Sequence, residues 1–336
     1  MTVVGPFGLS VRDQALEADV QAGMAAVEAG LLEATKSEVS FITDAAQHLL
    51  KAGGKRLRPL LVMLAAQFGD PDAPGIVPSG VVVELTHLAT LYHDDVMDEA
   101  EVRRGVPSAN ARWDNSVAVL TGDFLFARAS HILADLGPEA VRVQAEAFER
   151  LVTGQIMETA GPRDGRDPVD HYLDVLGGKT GSLIAVAGRF GAMMSGADER
   201  VVDILTQYGE RLGVAFQLAD DVLDIASDSH ESGKTPGTDL RESIPTLPVL
   251  LLRDRARRES RPEDLALVAL LDSDLTDDAR HAEALAAMRA HPTLEQARRE
   301  TVRYAEEARA ALTPLRECSA KAALIELCDA VVHRAG

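Results

Sequence analysis

The sequence predicts an all-α protein, on three observations. Apolar residues recur at helical spacing: Leu85, Leu88, Ala89, Tyr92 and Val96 fall on one stripe, as do Leu205, Tyr208, Leu212, Ala215 and Ala219. Strict two-residue alternation is rare, and strands do not alternate with helices. Clusters of glycine and proline divide the chain into segments of about 12–25 residues, the ordinary size of globular helices, and roughly a dozen are expected.

The elements follow in order. Residues 1–12 read as an N-terminal arm, and residues 13–336 as a single all-α domain. Gly53-Gly54 opens a turn ahead of Pro59, which suits the start of a helix. Gly69-Asp70-Pro71 ends that segment, and the apolar run VVVELTHLATLY follows. Gly137-Pro138, Gly161-Pro162 through Pro168, Gly177-Gly178 and Ser232 to Pro236 punctuate the rest. The charge-rich stretch from Arg255 to Asp278 is expected as a surface excursion. No repeat of solenoid period is present.

A chain of 336 residues with 46% hydrophobic and 26% charged residues can bury a sizeable core. Its formal net charge of −19 argues against nucleic acid or an anionic membrane as a partner held by bulk attraction. An anionic ligand would need local Lys/Arg, or cations held by carboxylates. Cys318 and Cys328 are too few for a disulfide scaffold and lack zinc-site spacing, so a reduced, cytoplasmic protein is expected. MTVVGPFGLSVRDQ is not a signal peptide, and no uncharged apolar run reaches about 18 residues, so no transmembrane segment is expected.

The acid is concentrated. Asp94-Asp95-Val96-Met97-Asp98 is a DDxxD pattern, and Asp220-Asp221-Val222-Leu223-Asp224 repeats it. On a helix, Asp94 stacks over Asp98 and Asp220 over Asp224. Chance would supply such a pattern about 0.2 times in this chain, so one copy carries little weight. Two copies, each leaving an apolar helix, carry more. Carboxylates with room for water and phosphate suit Mg²⁺, and two such faces turned toward each other would form a metal cage.

Cations sit at matching places. Gly53-Gly54-Lys55-Arg56-Leu57-Arg58-Pro59 packs three of them into one turn. Arg103-Arg104 follow the first acidic motif, Lys179-Thr180 follow Gly177-Gly178, and Lys234 follows Gly233. Arginine forks fit phosphate oxygens, and lysine adds a mobile point charge. His87 lies two helical turns before Asp94 on the same side, Gln217 precedes Asp220, and Gln155 lies on a helix face; any one of these reads equally as a core or surface residue.

Together these residues resemble the trans-isoprenyl diphosphate synthases, the polyprenyl synthetase family, in motifs ordered along nearly the whole chain. They are GGKRLRP (Gly53–Pro59), ELTHLATLYHDDVMDEAEVRRG (Glu84–Gly105), GDFLFARA (Gly122–Ala129), GQIME (Gly154–Glu158), GGKTGSL (Gly177–Leu183), FQLADDVLD (Phe216–Asp224) and GKTPGTDL (Gly233–Leu240). The resemblance implies a single large helical bundle with a central apolar cavity. It implies that Asp94 and Asp98, supported by Asp95, bind two Mg²⁺ ions, and that Asp220, with Asp221 and Asp224, holds a third; Mn²⁺ can substitute. It assigns Arg103, Lys179 and Lys234 to the allylic diphosphate. Lys55, Arg58, His87 and Arg104 fall to isopentenyl diphosphate, Gln155 to substrate binding, and Thr180 and Gln217 to the developing carbocation. It further implies a homodimer whose product is delivered to membrane enzymes. One departure is Ser243-Ile244-Pro245, where many relatives carry Gly-Lys.

Product length is expected to depend on the helix before Asp94. Thr90 and Ala89 are small there, as in the long-chain members, so a C30–C50 product is expected and Ala89→Phe should shorten it. A plug from Phe124, Phe126 or Tyr92 would instead give C15 or C20. A terpene cyclase on the same fold would not need the isopentenyl diphosphate set, and a non-catalytic subunit would be expected to lack motif carboxylates that are intact here.

Overall fold

A computed structural model describes residues 2–4, 9–11, 13–227 and 236–335. The chain is helical almost throughout. The helices are α1 (Gln14–Ala34), α2 (Ser40–Ala46), α3 (His48–Lys51), α4 (Leu57–Ala66), α5 (Ile76–Met97), α6 (Ala109–Arg112), α7 (Asn115–Leu136), α8 (Pro138–Ala160) and α9 (Pro168–Leu176). A π-helical turn, Gly177–Gly181, leads into α10 (Ser182–Met194). Then come α11 (Glu199–Ala226), α12 (Thr238–Arg241), α13 (Leu247–Glu259), α14 (Pro262–Leu271), α15 (Asp278–Ala290), α16 (Pro292–Ala311) and α17 (Ser319–Ala335). The elements outnumber the dozen expected because α3, α6 and α12 are single turns too short to show periodicity.

Four short strands form two antiparallel hairpins. β1 (Thr2–Val4) pairs with β2 (Leu9–Val11) inside the expected arm, and β3 (Val102–Arg103) pairs with β4 (Val106–Pro107) just after the first acidic motif. No sheet forms a layer among the described residues.

Contacts gather the chain into two compact units. The first comprises Met1–Glu149, Leu183–Gly209 and Ala311–Leu327. Its core is built around α5, which packs along α7, α4 and α1. Of the predicted stripe, Leu85, Leu88, Ala89 and Tyr92 are wholly buried, at about 1.5–3 kcal/mol for each large apolar side chain, and Val96 at the helix end is half-buried. Local chemistry fixes the ends: the Asp13 side chain accepts from the amides of Ala15 and Leu16 to cap α1, and Asp114 accepts from Val117 N at 2.8 Å to cap α7. By length and composition α7 alone, among the described helices, could cross a membrane, yet it carries Asp123 and Arg128 and packs on α5.

The second unit comprises Arg150–Ser182, Glu210–Ala310 and Cys328–Gly336. Here α13 packs on α9 and α14, α14 on α15, and α15 on α12. The charge-rich stretch from Arg255 to Asp278 holds α14 and the end of α13, pinned by Arg255 Nε donating to the buried Asp264 at 2.9 Å.

Candidate active site

In the first unit, the Gly53–Pro59 turn is shaped by backbone in left-handed conformations: Gly53 at φ +97°, Gly54 at +140° and Arg56 at +49°. The φ of Gly54 is one that side-chain-bearing residues rarely adopt, and the missing Cβ leaves space that two guanidiniums occupy. A Cβ there would lie 2.8 Å from Arg104 Cζ and 2.9 Å from Arg56 Nη1. Arg56 folds back, donating to Gly53 O and to the buried Glu84 carboxylate, both at 3.1 Å, and to Glu28. Arg104, itself at φ +55°, donates to Leu49 O at 2.9 Å and also to Gly53 O.

Arg58 lies on the first turn of α4, with its Nε buried and lacking a hydrogen-bond partner. Loss of solvation pushes its pKa down to about 10; Glu84 opposes that shift, and Arg104 adds to it. His87 is held neutral, well below the ordinary imidazole range, first by its enclosed position and then by the guanidiniums of Arg58, Arg104, Arg56 and Arg103. Lys55 is exposed at the rim of the turn. The sequence-predicted Arg58, His87 and Arg104 therefore share one cluster. Two more side chains join it: Arg56, read from the sequence only as a cation of the turn, and Glu84, which was given no role.

The first acidic motif sits at the C-terminal end of α5, with Asp98 as its cap residue and its amide donating to Asp94 O at 2.8 Å. Carboxylates at the negative end of a helix dipole are unfavourable without a cation. Asp95 is buried and takes Arg103 Nε at 2.6 Å, while its other oxygen has no hydrogen-bond partner. Burial raises the Asp95 pKa, and Arg103 opposes the rise. Asp94 is half-buried and Asp98 exposed.

A cavity of about 480 Å³ opens beside the same helix. Thr86 and His93 of α5, Phe126 and Leu133 of α7, and Gln144 and Phe148 of α8 are among its lining residues. Phe126 and Phe148 pack with ring centroids 4.4 Å apart and planes tilted by 57°. The expected length-setting residues lie differently. Ala89 is wholly buried in the core stripe, Thr90 is half-buried with its hydroxyl donating to His87 O, and neither lines this cavity. Phe124 and Tyr92 do not line it either; the Tyr92 hydroxyl is committed to Ala45 O.

In the second unit, α8 and the π turn touch backbone to backbone. A Cβ on Gly154 would lie 2.8 Å from Lys179 N, and one on Gly178 2.9 Å from Arg150 O, so both glycines are needed for the approach. Lys179 Nζ pairs with Glu158 Oε2 at 2.7 Å. The Thr180 hydroxyl reaches Gln217 Oε1 at 3.4 Å, and Gln155 Oε1 is buried without a hydrogen-bond partner. The second acidic motif also lies at the C-terminal end of its helix, α11.

Asp221 is buried and accepts from the Tyr172 hydroxyl; burial pushes its pKa up to about 7. Asp224 accepts from the amides of Thr238 and Asp239, capping α12. Arg334 Nη2 approaches Asp220 Oδ1 at 2.8 Å, its guanidinium 4.8 Å from the centre of the Phe216 ring. Ser243, at φ +57°, turns the chain after α12 with Ile244 exposed. Lys234 lies outside the described residues.

The polyprenyl synthetase family model matches residues 39–288, which span the two aspartate motifs and the cationic turn. The chain belongs to the polyprenyl synthetase family. It is a prenyltransferase with the all-α fold of that family. It is 48% identical over 330 residues to nonaprenyl diphosphate synthase of Mycobacterium tuberculosis, covering 98% of this chain and 97% of that protein. Dimethylallyltranstransferase of the same organism is 40% identical, covering 96% and 97%. Geranylgeranyl pyrophosphate synthase from Corynebacterium glutamicum, solved with calcium and isoprenyl diphosphate, superposes with a TM-score of 0.87 at 44% identity, covering 98% of this chain and all of that one.

The donor chemistry of this prenyltransferase fits divalent cations. Both motifs offer oxygen donors at negative helix ends, and Asp95 keeps a buried oxygen without a hydrogen bond. Among the described residues no three His, Cys, Asp or Glu side chains form a ready-made metal site. Three residues escaped sequence reasoning, Glu84, Tyr172 and Arg334, while Arg56 was read only as one of the turn's three cations. Glu84 had a signal, an acid inside an apolar run three residues before His87; Tyr172 had none.

Proposed function

We propose that this prenyltransferase condenses isopentenyl diphosphate with geranyl, farnesyl or geranylgeranyl diphosphate, head to tail (1'-4), to give a trans-polyprenyl diphosphate of C30–C50. The observation that carries the reading is the enclosed cluster of Arg58, His87 and Arg104 in a chain that also keeps both aspartate motifs. A cyclase has no need of a second diphosphate pocket, and a non-catalytic subunit has no need of either motif.

Lys55, Arg58, His87 and Arg104 hold isopentenyl diphosphate, and Gln155 contributes to substrate binding. Arg103, Lys179 and Lys234 grip the allylic diphosphate. Asp94, Asp98, Asp220, Asp221 and Asp224 hold three Mg²⁺ ions, which withdraw charge from the leaving diphosphate when bound. Mn²⁺ serves in their place. Thr180 and Gln217 present oxygens to the allylic cation, and apolar walls exclude water that would quench it. The isopentenyl double bond attacks at close range, a proton is lost to the released pyrophosphate, and the longer product re-enters as primer.

The 48% identity to a nonaprenyl synthase supports the long product. A C15 or C20 product is the second reading, favoured by the likeness to a geranylgeranyl synthase and by the Phe126–Phe148 pair in the cavity wall. Incubation with each allylic primer, labelled isopentenyl diphosphate and Mg²⁺, followed by sizing of the dephosphorylated product, separates the two. A product ending at C20 removes the long-chain reading, and no condensation removes both.

The enzyme is further proposed to be a cytoplasmic homodimer with no nucleic-acid partner, handing its product to membrane enzymes. Exposed Val119 and Leu120 on α7 support pairing with a second copy. Sedimentation at micromolar concentration tests it: a monomer would sink that part of the reading.

A further inference from the structure

The cationic cluster poses a problem of assembly. Arg56 and Arg104 both donate to the single carbonyl of Gly53 and pack over the same face of Gly54. Arg58 stands close enough to Arg104 for each to feel the other's charge. Like charges gathered in a partly enclosed turn repel one another, and the field is screened less there than at a surface. Glu28 offsets part of this from Arg56, but its side chain is 44% exposed.

Glu84 stands at the centre of this arrangement. Its side chain is only 2% exposed and lies one turn before His87 on α5. Its Oε1 receives Arg56 Nη1 at 3.1 Å, and its charge supports the protonated forms of both Arg58 and Arg104. Buried carboxylates are few among the described residues; Asp95, Asp221 and Asp264 are the others. Each of those three is tied to another group: Asp95 to Arg103, Asp221 to Tyr172, and Asp264 to Arg255 and His291.

We propose that Glu84 is a positioning residue for isopentenyl diphosphate: an internal counter-charge that holds Arg56, and through it Arg58 and Arg104, assembled before the substrate arrives. The inference rests on assigning this cluster to isopentenyl diphosphate. Glu84 itself does not touch the substrate. It lowers the cost of keeping the guanidiniums together, so the incoming diphosphate finds its forks in place rather than assembling them. Two effects of removing the charge oppose each other. A cluster with one fewer anion attracts a diphosphate more strongly at long range, but its guanidiniums no longer share a fixed geometry. Recognition by paired N–H forks depends on geometry, so the second effect wins.

The test is Glu84→Gln, of equal size and without charge, beside Glu84→Asp, which keeps the charge on a shorter arm. For Glu84→Gln the KM for isopentenyl diphosphate should rise about tenfold, with kcat and the KM for the allylic diphosphate within about threefold of wild type. Glu84→Asp should recover part of that loss, and it keeps the test open if Glu84→Gln does not fold. Binding of inorganic pyrophosphate to the metal-free full-length protein, by calorimetry, should weaken about tenfold in Glu84→Gln. An unchanged or lower KM for isopentenyl diphosphate overturns the inference. So does a uniform fall of every kinetic parameter that Glu84→Asp does not relieve. If wild-type protein fails to condense isopentenyl diphosphate, the functional reading falls. The pyrophosphate arm still decides whether Glu84 organises the cluster.

Discussion

Arg103 Nε lies 2.6 Å from Asp95 Oδ1, tying the middle carboxylate of the first acidic motif to the cation that follows it. Asp95 is buried and Arg103 about one-third exposed, so the pair anchors a partly exposed guanidinium to the middle of the motif. Asp95→Asn keeps the shape and removes the charge that anchors the guanidinium. Its kcat/KM for the allylic diphosphate is expected to fall about 10–100-fold while circular dichroism stays that of wild type. Steady-state kinetics at saturating isopentenyl diphosphate check it.

The leading carboxylates carry more. Asp94→Ala and Asp220→Ala are each expected to lower kcat on the order of a thousandfold, because on the proposed reading each would remove an oxygen donor for a cation that stabilises the leaving group. Asp94 is partly solvent-accessible at a helix end, so the melting temperature of metal-free Asp94→Ala should stay near or above wild type, whereas Asp220→Ala also gives up the ion pair with Arg334 and should melt slightly lower. Near-wild-type turnover in either variant would remove that motif from the chemistry.

Asp221 gives a pH dependence with a definite sign. Burial raises its pKa from 3.8 to about 7, so the fold favours the protonated carboxyl. The corresponding stabilisation of the metal-free protein is complete below about pH 4 and is lost as pH rises toward 7. In EDTA, the melting temperature of wild type relative to Asp221→Asn should therefore fall between pH 4 and pH 8. A difference that is flat or rises across that window contradicts the shift.

Product length should answer to the cavity. Phe126→Ala enlarges the space beside Phe148 and is expected to lengthen the product by one or more isoprene units, about five carbons each. Thr86→Phe fills the same space from α5 and should shorten it. Ala89→Phe is a less direct probe, since Ala89 does not line the cavity and overpacking in the filled core costs about 1–3 kcal/mol. Chromatography of dephosphorylated products against standards reads all three.

Much of this was legible in the sequence, and the reasons are physical. The stripe through Leu85, Leu88, Ala89 and Tyr92 announced α5 because core-facing residues on a helix must recur every three or four positions. Arg58, His87 and Arg104 were legible as a set only through the resemblance to the family's ordered motifs. Arg56 was not, because its neighbours in the turn bear the same charge, and only its left-handed backbone turns it inward to Glu84. Tyr172 and Arg334 reach Asp221 and Asp220 across long sequence separations, which no local pattern encodes. That Thr86 rather than Ala89 or Thr90 lines the cavity beside α5 depends on rotation of that helix about its axis, which stripe counting resolves only coarsely.

The turn from Gly177 to Gly181 closes a wider ring than an α-helical turn, with Ser182 N bonded to Gly177 O. An extra residue of this kind advances everything after it by roughly a hundred degrees around the helix axis. The number of residues in GGKTG is therefore as constrained as their identity. Deleting a single residue would let the segment relax into continuous α-helix and swing the faces of Ser182 and Leu183 away from their present neighbours. Lineages could exchange side chains on this turn gradually, whereas a change in its length would have to be matched by compensating change throughout α10.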